Sequence, residues 1–374
     1  MKLAVTILVT CVAGLLVLGL VMLYSSSMAQ CGARDLLKQL TWCVPGITLC
    51  VLAASLNYTQ LRKLAVPMFV AAVVLLVLVL AVGKRANGAQ RWLGYGSYRV
   101  QPSEFAKLAV ILALAWYGEH FQRKMGTLKH GILIPGAGLA VVLALVFKEP
   151  DVGTTMLLAA VAGGMLLVAG VRWKFILPPM LAGIIGLVIF LLNDPVRSKR
   201  IFSWLDLEQT KDGIGYQARQ AMLALGSGGW FGLGLGNGRQ KLGFIPEHHT
   251  DFIFSIIGEE LGLVATLLVV VAFITIVLCG LYISLNASDT FGLLLGSGIT
   301  FLIGLQAFIN IGVVTSALPN KGLPLPFISY GGSSLLVMLT CVGLLLSVAR
   351  RARVPIPRAA NPFQRDPAVE PQIA

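Results

Sequence analysis

Long apolar runs, separated by short polar stretches, fill this chain from its first residues to about residue 349. Ten of them are long and apolar enough to read as membrane-spanning helices: about 4–24, 37–56, 64–82, 104–118, 131–147, 153–170, 175–192, 252–282, 291–314 and 329–349. Stretches such as Met68 to Val82, Gly131 to Phe147 and Gly262 to Gly280 are too long and too purely apolar to be strands. The fourth run is short and opens on a polar motif. The eighth is long enough to tilt or to keep its first turns at the interface. The first run competes with a secretory signal peptide, because Tyr24-Ser25-Ser26-Ser27-Met28-Ala29 imitates a cleavage site. Val5 to Tyr24 is still long enough to span. The expected fold is all-α: a polytopic integral membrane protein of about ten transmembrane helices forming one domain over 1–353. A large loop over 193–251 interrupts it, and a proline-rich tail over 354–374 reads as disordered.

Composition supports the same class. Of 374 residues, 57% are hydrophobic and 12% charged, against roughly 25% charged in an ordinary soluble domain. The formal charge of +13 is not gathered on a soluble domain, so an anionic lipid surface or a lipid-linked anion fits better than nucleic acid. The six cysteines are scattered without a C-x-x-C spacing and read as small core residues. An even number of spans puts both termini on one side. Outside the long loop, the Lys and Arg residues favour cytoplasmic termini. The loop and the segment around 83–103 then face outward, and their basic residues form either a solvated rim or a surface that meets a polyanion.

Polarity at a membrane boundary is costly and marks candidate chemistry. The island from Asn193 to Asp251 ends in Pro246-Glu247-His248-His249-Thr250-Asp251, and Glu259 and Glu260 follow about two helical turns deeper. Asp251 is the best single candidate for a general base, since it stands where an aqueous cavity meets the bilayer; an interfacial cap or salt bridge is the plainer reading. One of Glu259 and Glu260 is expected to pair internally. His248 and His249 with Glu247 and Asp251 form a weak metal set, lacking H-E-x-x-H. A loosely held Mg²⁺ or Mn²⁺ shared between carboxylate and substrate phosphate suits these residues better. The glycines of Gly226-Ser227-Gly228-Gly229-Trp230-Phe231-Gly232-Leu233-Gly234-Leu235-Gly236-Asn237-Gly238 match no nucleotide-binding spacing and point to tight turns and close backbone approach.

Other outward segments add charge. Pro102-Ser103-Glu104 opens a helix, and Glu104 and Lys107, three apart, either pair as an anchor or leave Lys107 to join Arg91 and Lys84 against phosphate. In Lys148-Glu149-Pro150-Asp151-Val152-Gly153-Thr154, Asp151 either caps the sixth helix or shapes a polar cleft. Three prolines within Leu318–Phe327 forbid an ordinary helix there, so this apolar stretch is re-entrant or interfacial, covered by protein or lining a cavity.

These motifs together resemble the SEDS family (shape, elongation, division and sporulation). The resemblance rests on Asn310-Ile311-Gly312-Val313, Leu318 to Ser334, Asn87-Gly88-Ala89 with Arg91-Trp92-Leu93, Gln101-Pro102-Ser103-Glu104, Glu149 to Thr154, and Pro246 to Phe252, and it runs to about Arg353. Lys321 before Gly322 looks more like the division branch than the elongation branch. The resemblance implies an inverting peptidoglycan glycosyltransferase that polymerises lipid II, with Asp251 as general base and undecaprenyl pyrophosphate leaving. It implies substrate-side roles for Lys84, Arg91, Glu104, Lys107, Asp151, Lys321 and Ser329. No organic cofactor is implied, and a divalent cation is compatible. The implied partners are lipid II, undecaprenyl-linked glycan, a class B penicillin-binding transpeptidase and other divisome or elongasome membrane proteins. The rival readings are a lipid II flippase, which should show paired broken helices in corresponding halves, and a scaffold for division-site proteins.

Overall fold

The computed structural model describes residues 1–27, 32–86, 89–95, 98–205, 213, 215–242, 250–320 and 322–352. Apolar sequence becomes helix throughout, because a backbone in hydrocarbon must satisfy its own hydrogen bonds. The helices are α1 (Lys2–Ser27), α2 (Arg34–Ser55), α3 (Leu61–Val82), α4 (Pro102–His120), α5 (Ile134–Lys148), α6 (Val152–Val168), α7 (Trp173–Asn193), α8 (Pro195–Leu205), α9 (Tyr216–Ser227), α10 (Ile253–Leu285), α11 (Thr290–Val314) and α12 (Gly332–Arg350). By length and composition, eight helical segments among the described residues can cross a membrane. The two other predicted spans are α4, which carries Glu104, Lys107 and Glu119, and α6, which has only 17 residues.

Burial sorts the helices. α11 and α12 are mostly enclosed by protein, while α7 keeps almost none of its apolar surface inside the bundle. The exposed leucines and isoleucines of α7 are what a lipid-facing helix needs, since lipid is as apolar as a protein core. α12 lies along α2 at close range: a Cβ at Gly343 would collide with the carbonyl oxygen of Cys50. At the Tyr58 end of α3 and the start of α11, Arg62 pairs with Glu119 at 2.8 Å and with Asp289, and Tyr58 donates to Asp289 at 3.0 Å. This polar knot ties α3, α4 and α11 together at one end of the bundle.

One departure from the all-helical expectation lies between α3 and α4. Strands β1 (Lys84–Ala86), β2 (Ala89–Tyr95) and β3 (Tyr98–Val100) form a small antiparallel sheet in the order β1-β2-β3. Ala86 opposes Ala89 and Tyr95 opposes Tyr98, so each hairpin closes over two residues. In the sequence the first pair is Asn87-Gly88, which lies outside the described residues.

α10 is two helices joined at a break. Gly262 takes φ +78°, where a side chain would also meet the Trp230 carbonyl oxygen at 2.5 Å. The glycine-rich stretch after α9 fills the break. Leu233 and Gly234 donate to the carbonyls of Glu259 and Glu260 at 2.9 and 3.0 Å, and Leu263 donates back to Gly229 at 2.9 Å. Close backbone approach is therefore what these glycines provide.

Candidate active site

Asp251 stands one residue before the Phe252 cap of α10, half-buried, where the positive end of a helix favours a carboxylate. Its neighbour across the site is Gly322, and a Cβ there would come within 2.5 Å of Asp251 Oδ2. The missing side chain makes the space the carboxylate occupies. On the other side, Asn310 Nδ2 donates to the backbone oxygen of Asp251 at 2.9 Å and to that of Leu323 at 2.7 Å.

The described residues between α11 and α12 are non-helical, as the prolines predict, and the stretch from Leu323 to Ser329 is largely buried. Leu323, Leu325, Phe327 and Ile328 are all buried. Ser329 is buried with them; its hydroxyl accepts from the Leu325 N–H at 2.8 Å, bracing the turn. Gln39 of α2 clamps the same turn, donating to the Ser329 carbonyl and accepting from the Gly331 N–H. Ser329 thus faces its own loop. The long stretch between α7 and α10 reaches this segment too: Trp204 of α8 donates to the Ser316 carbonyl at 2.8 Å, and Asn320 meets Gln217 of α9 at 3.3 Å.

Beneath lies a buried charge pair. Lys107 Nζ is 2.7 Å from Glu104 Oε1 and 3.0 Å from Gln306 Oε1, and the lysine side chain is fully enclosed. Gln306 in turn donates to the Pro324 carbonyl at 2.9 Å. Of the two readings of Lys107, the geometry favours the anchor over the phosphate contact: its ammonium bonds Glu104 and Gln306 inside the bundle. Glu104 belongs to the same anchor.

A second cluster borders the same segment, since the Leu323 side chain lies against Gly153 at the start of α6. Asp151 caps α6, accepting from Thr154 N at 3.1 Å and Thr154 Oγ1 at 2.9 Å. Gln101 donates to Asp151 Oδ2 at 3.2 Å and to Ser103 at 2.9 Å. Arg91, partly exposed on β2, donates to the carbonyls of Glu149 and Pro150 and stands 3.9 Å from Asp151. Glu149 is fully buried with neither carboxylate oxygen hydrogen-bonded. Burial first, then the nearby Asp151 charge, push its pKa up to about 8 against the pull of Arg91. Lys84 is exposed on β1. Lys321 and the Glu247, His248 and His249 set lie outside the described residues.

Both carboxylates of the pair expected near the outer boundary are held internally. Glu259 accepts from the backbone N–H of Arg239 at 2.7 Å. Glu260 accepts from Lys241 Nζ at 2.6 Å, from Ser25 at 2.6 Å and from the Gly236 N–H at 3.1 Å. Lys241, Gln306 and Gln39 carry no motif that singles them out in the sequence, whereas Gln101 belongs to the Gln101-Pro102-Ser103-Glu104 motif. The readable signal for Gln306 is its spacing from Asn310, four residues along an apolar helix, which puts two carboxamides on one face.

Fold and site together define a multi-pass helical membrane protein in which a half-buried carboxylate stands where the start of α10, Asn310 of α11 and Gly322 meet. The chain belongs to the FtsW/RodA/SpoVE family, described as Cell cycle protein, whose family model matches residues 5–354. A probable peptidoglycan glycosyltransferase FtsW of Geobacter metallireducens is 40% identical over 343 residues, covering 90% of this chain and 92% of that protein. Stage V sporulation protein E of Bacillus subtilis is 38% identical, covering 91% and 95%. Among solved structures, a peptidoglycan synthase complex that coordinates polymerization and crosslinking contains a chain similar at a TM-score of 0.76 and 28% identity, with 92% and 96% covered. Thermus thermophilus RodA is similar at 0.71 and 29%, with 93% and 97% covered.

Proposed function

We propose that this chain is a peptidoglycan glycosyltransferase that polymerises lipid II for septal wall synthesis, with Asp251 as general base. The observation that carries the reading is the placement of Asp251: half-buried at a helix N-terminus, in a gap made by Gly322, with its backbone fixed by Asn310. A base so held can accept a proton without first being ordered. The 4-hydroxyl of an acceptor GlcNAc attacks the anomeric carbon of the donor MurNAc and its proton passes to Asp251. The bond from that carbon to the pyrophosphate oxygen breaks, and its electron pair leaves with undecaprenyl pyrophosphate. One displacement inverts the α-linked donor to a β-linked product, so no second nucleophilic carboxylate is needed.

Charge developing on the pyrophosphate calls for cations. Lys84, Arg91 and Lys321 take that role on the outer face, and the Asp151 cap and the Glu104–Lys107 pair hold the walls. A divalent cation shared with the pyrophosphate, Mg²⁺ or Mn²⁺, is part of this proposal. No cluster of three or more His, Cys, Asp or Glu side chains gathers among the described residues. Both termini are cytoplasmic and the site faces outward. Division is favoured over elongation by the FtsW relatives at 40% identity. The partner is a class B penicillin-binding transpeptidase, in keeping with the similar chain found in a polymerizing and crosslinking complex.

The test is lipid II polymerisation in proteoliposomes containing the transpeptidase partner, with and without chelator. Asp251→Asn, inserted and folded, should lose about 10²- to 10⁴-fold in rate, the range of a general base. Wild-type product from that variant would overturn the assignment. Leaflet exchange of lipid II without polymer would favour a flippase instead.

A further inference from the structure

Two carboxamides on α11 reach the site from a helix that is otherwise apolar. Gln306 is 0% exposed and Asn310 is 1% exposed. A buried amide without partners is costly, so their hydrogen bonds show what holds them there. Both N–H groups of Asn310 are used on carbonyls, those of Asp251 and Leu323. Rotating the amide would set its oxygen against two other oxygens, so its orientation is fixed. Asp251 and Leu323 are distant in sequence and lie on either side of the reacting carboxylate, one carrying it and one following the Gly322 gap. Gln306, one turn earlier, bridges the Lys107 ammonium to the Pro324 carbonyl. A continuous chain therefore runs from the Glu104–Lys107 pair through Gln306 to residue 324, and through residue 323 and Asn310 to Asp251.

We infer that Asn310 is a positioning residue for Asp251, and that Gln306 couples the buried Glu104–Lys107 pair to the same backbone. The inference rests on Asp251 being the general base. Neither amide needs to touch substrate. The Pro319, Pro324 and Pro326 segment cannot form a regular ladder, since proline removes donors. Its carbonyls therefore depend on side-chain donors, and α11 supplies them at one-turn spacing. The same two side chains fix the height of the segment against the carboxylate.

The experiment is steady-state polymerisation in the same proteoliposomes for Asn310→Ala, Gln306→Glu and Asp251→Asn, each with a melting curve and a pH profile. Asn310→Ala is expected to lower kcat about a hundredfold, the effect of displacing a reacting group by roughly 1 Å. Its KM for lipid II should stay within about twofold, the signature of an interaction felt in the transition state alone. The acidic limb of its pH profile should move with the altered surroundings of Asp251. Gln306→Glu keeps the acceptor for Lys107 but faces Pro324 with an oxygen; it should show the same split more weakly, and it carries the test if Asn310→Ala fails to fold. Ser284→Ala removes a buried hydroxyl at the far end of α10 and should lower the melting point while leaving the acidic limb in place. A folded Asn310→Ala with wild-type kcat and pH profile would overturn the inference. If Asp251→Asn is also active, the general-base reading falls with it; if Asp251→Asn is dead, only the positioning role is lost.

Discussion

Lys107 Nζ lies 2.7 Å from Glu104 Oε1 in a pair from which solvent is almost wholly excluded. Their spacing on α4 places them on one face, and Gln306 completes the lysine's shell. Such a pair is asymmetric in its energetics. Removing one member strands the other as a buried charge, at about 3–5 kcal/mol, whereas replacing both with apolar groups of similar size is often neutral. Lys107→Ala should therefore melt well below wild type in detergent, and Glu104→Leu/Lys107→Met should recover most of that loss. The double variant should still polymerise poorly, because Gln306 has lost its anchor. Full activity in the double variant would remove the pair from the frame of the site.

Gly322→Ala separates stability from activity. The added methyl would meet Asp251 Oδ2 at 2.5 Å, and a carboxylate can swing aside more readily than backbone can. Melting should change by about 1 kcal/mol or less, within the ordinary range of single substitutions away from a packed core. The polymerisation rate should fall at least about tenfold, since reacting groups lose rate steeply with misplacement. A variant with wild-type turnover would show that Asp251 is not held by this gap.

Glu149 gives the fold a pH dependence of definite sign. Its pKa is about 8 in the folded chain against an ordinary 4.5. The folded state then binds more protons than the unfolded state between those values, so stability falls as pH rises through that window. The limiting slope is about 1.4 kcal/mol per pH unit. Asp151 and Arg91 are the charged groups that act on it, in opposite directions. Glu149→Gln should flatten the melting-point profile between pH 5 and 8 and raise stability at the upper end. An unchanged slope in that variant would place the titrating group elsewhere.

The contrast between Glu104 and Gln306 explains how far the sequence reaches. Spans were legible because the lipid solvent imposes one rule on every residue, and Glu104 and Lys107 were legible because their pairing is local. Asp251 stood out as a carboxylate at the edge of hydrocarbon. Gln306 carries only its four-residue spacing from Asn310: its partners are a lysine on another helix and a carbonyl in a proline-broken segment, joined only by the tertiary fold. Lys241 is hidden for the same reason, since it meets Glu260 only where the chain before α10 folds back onto that helix, just before the break at Gly262. The small sheet at Lys84–Val100 was legible in principle through Asn87-Gly88, but its short strands carry too few alternating positions to compete with the helical pattern on either side.

The last prediction concerns where the bilayer ends. Trp230 and Phe231 are 68% and 83% exposed, yet the Trp230 carbonyl accepts from the Val264 N–H at 3.2 Å, just past the α10 break at Gly262. From Leu263 to Leu285 the helix rises about 35 Å at 1.5 Å per residue, slightly more than the roughly 30 Å hydrocarbon core. This length puts Gly262 at one membrane boundary, and the expected place of the Trp-Phe tip is the headgroup level, where aromatic side chains anchor. Leu263, Val264 and Leu267 below it are exposed in the same way and continue the lipid-facing surface. A spin label at Phe231→Cys, in a background lacking the native cysteines and reconstituted in nanodiscs, should be relaxed more by lipid-soluble oxygen than by a water-soluble nickel chelate. A label at Leu128→Cys should be reached by membrane-impermeant reagent from the cytoplasmic side of inverted vesicles. Greater nickel access at Phe231 would lift the tip into solvent, and labelling of Leu128 in right-side-out vesicles but not in inverted ones would invert the topology.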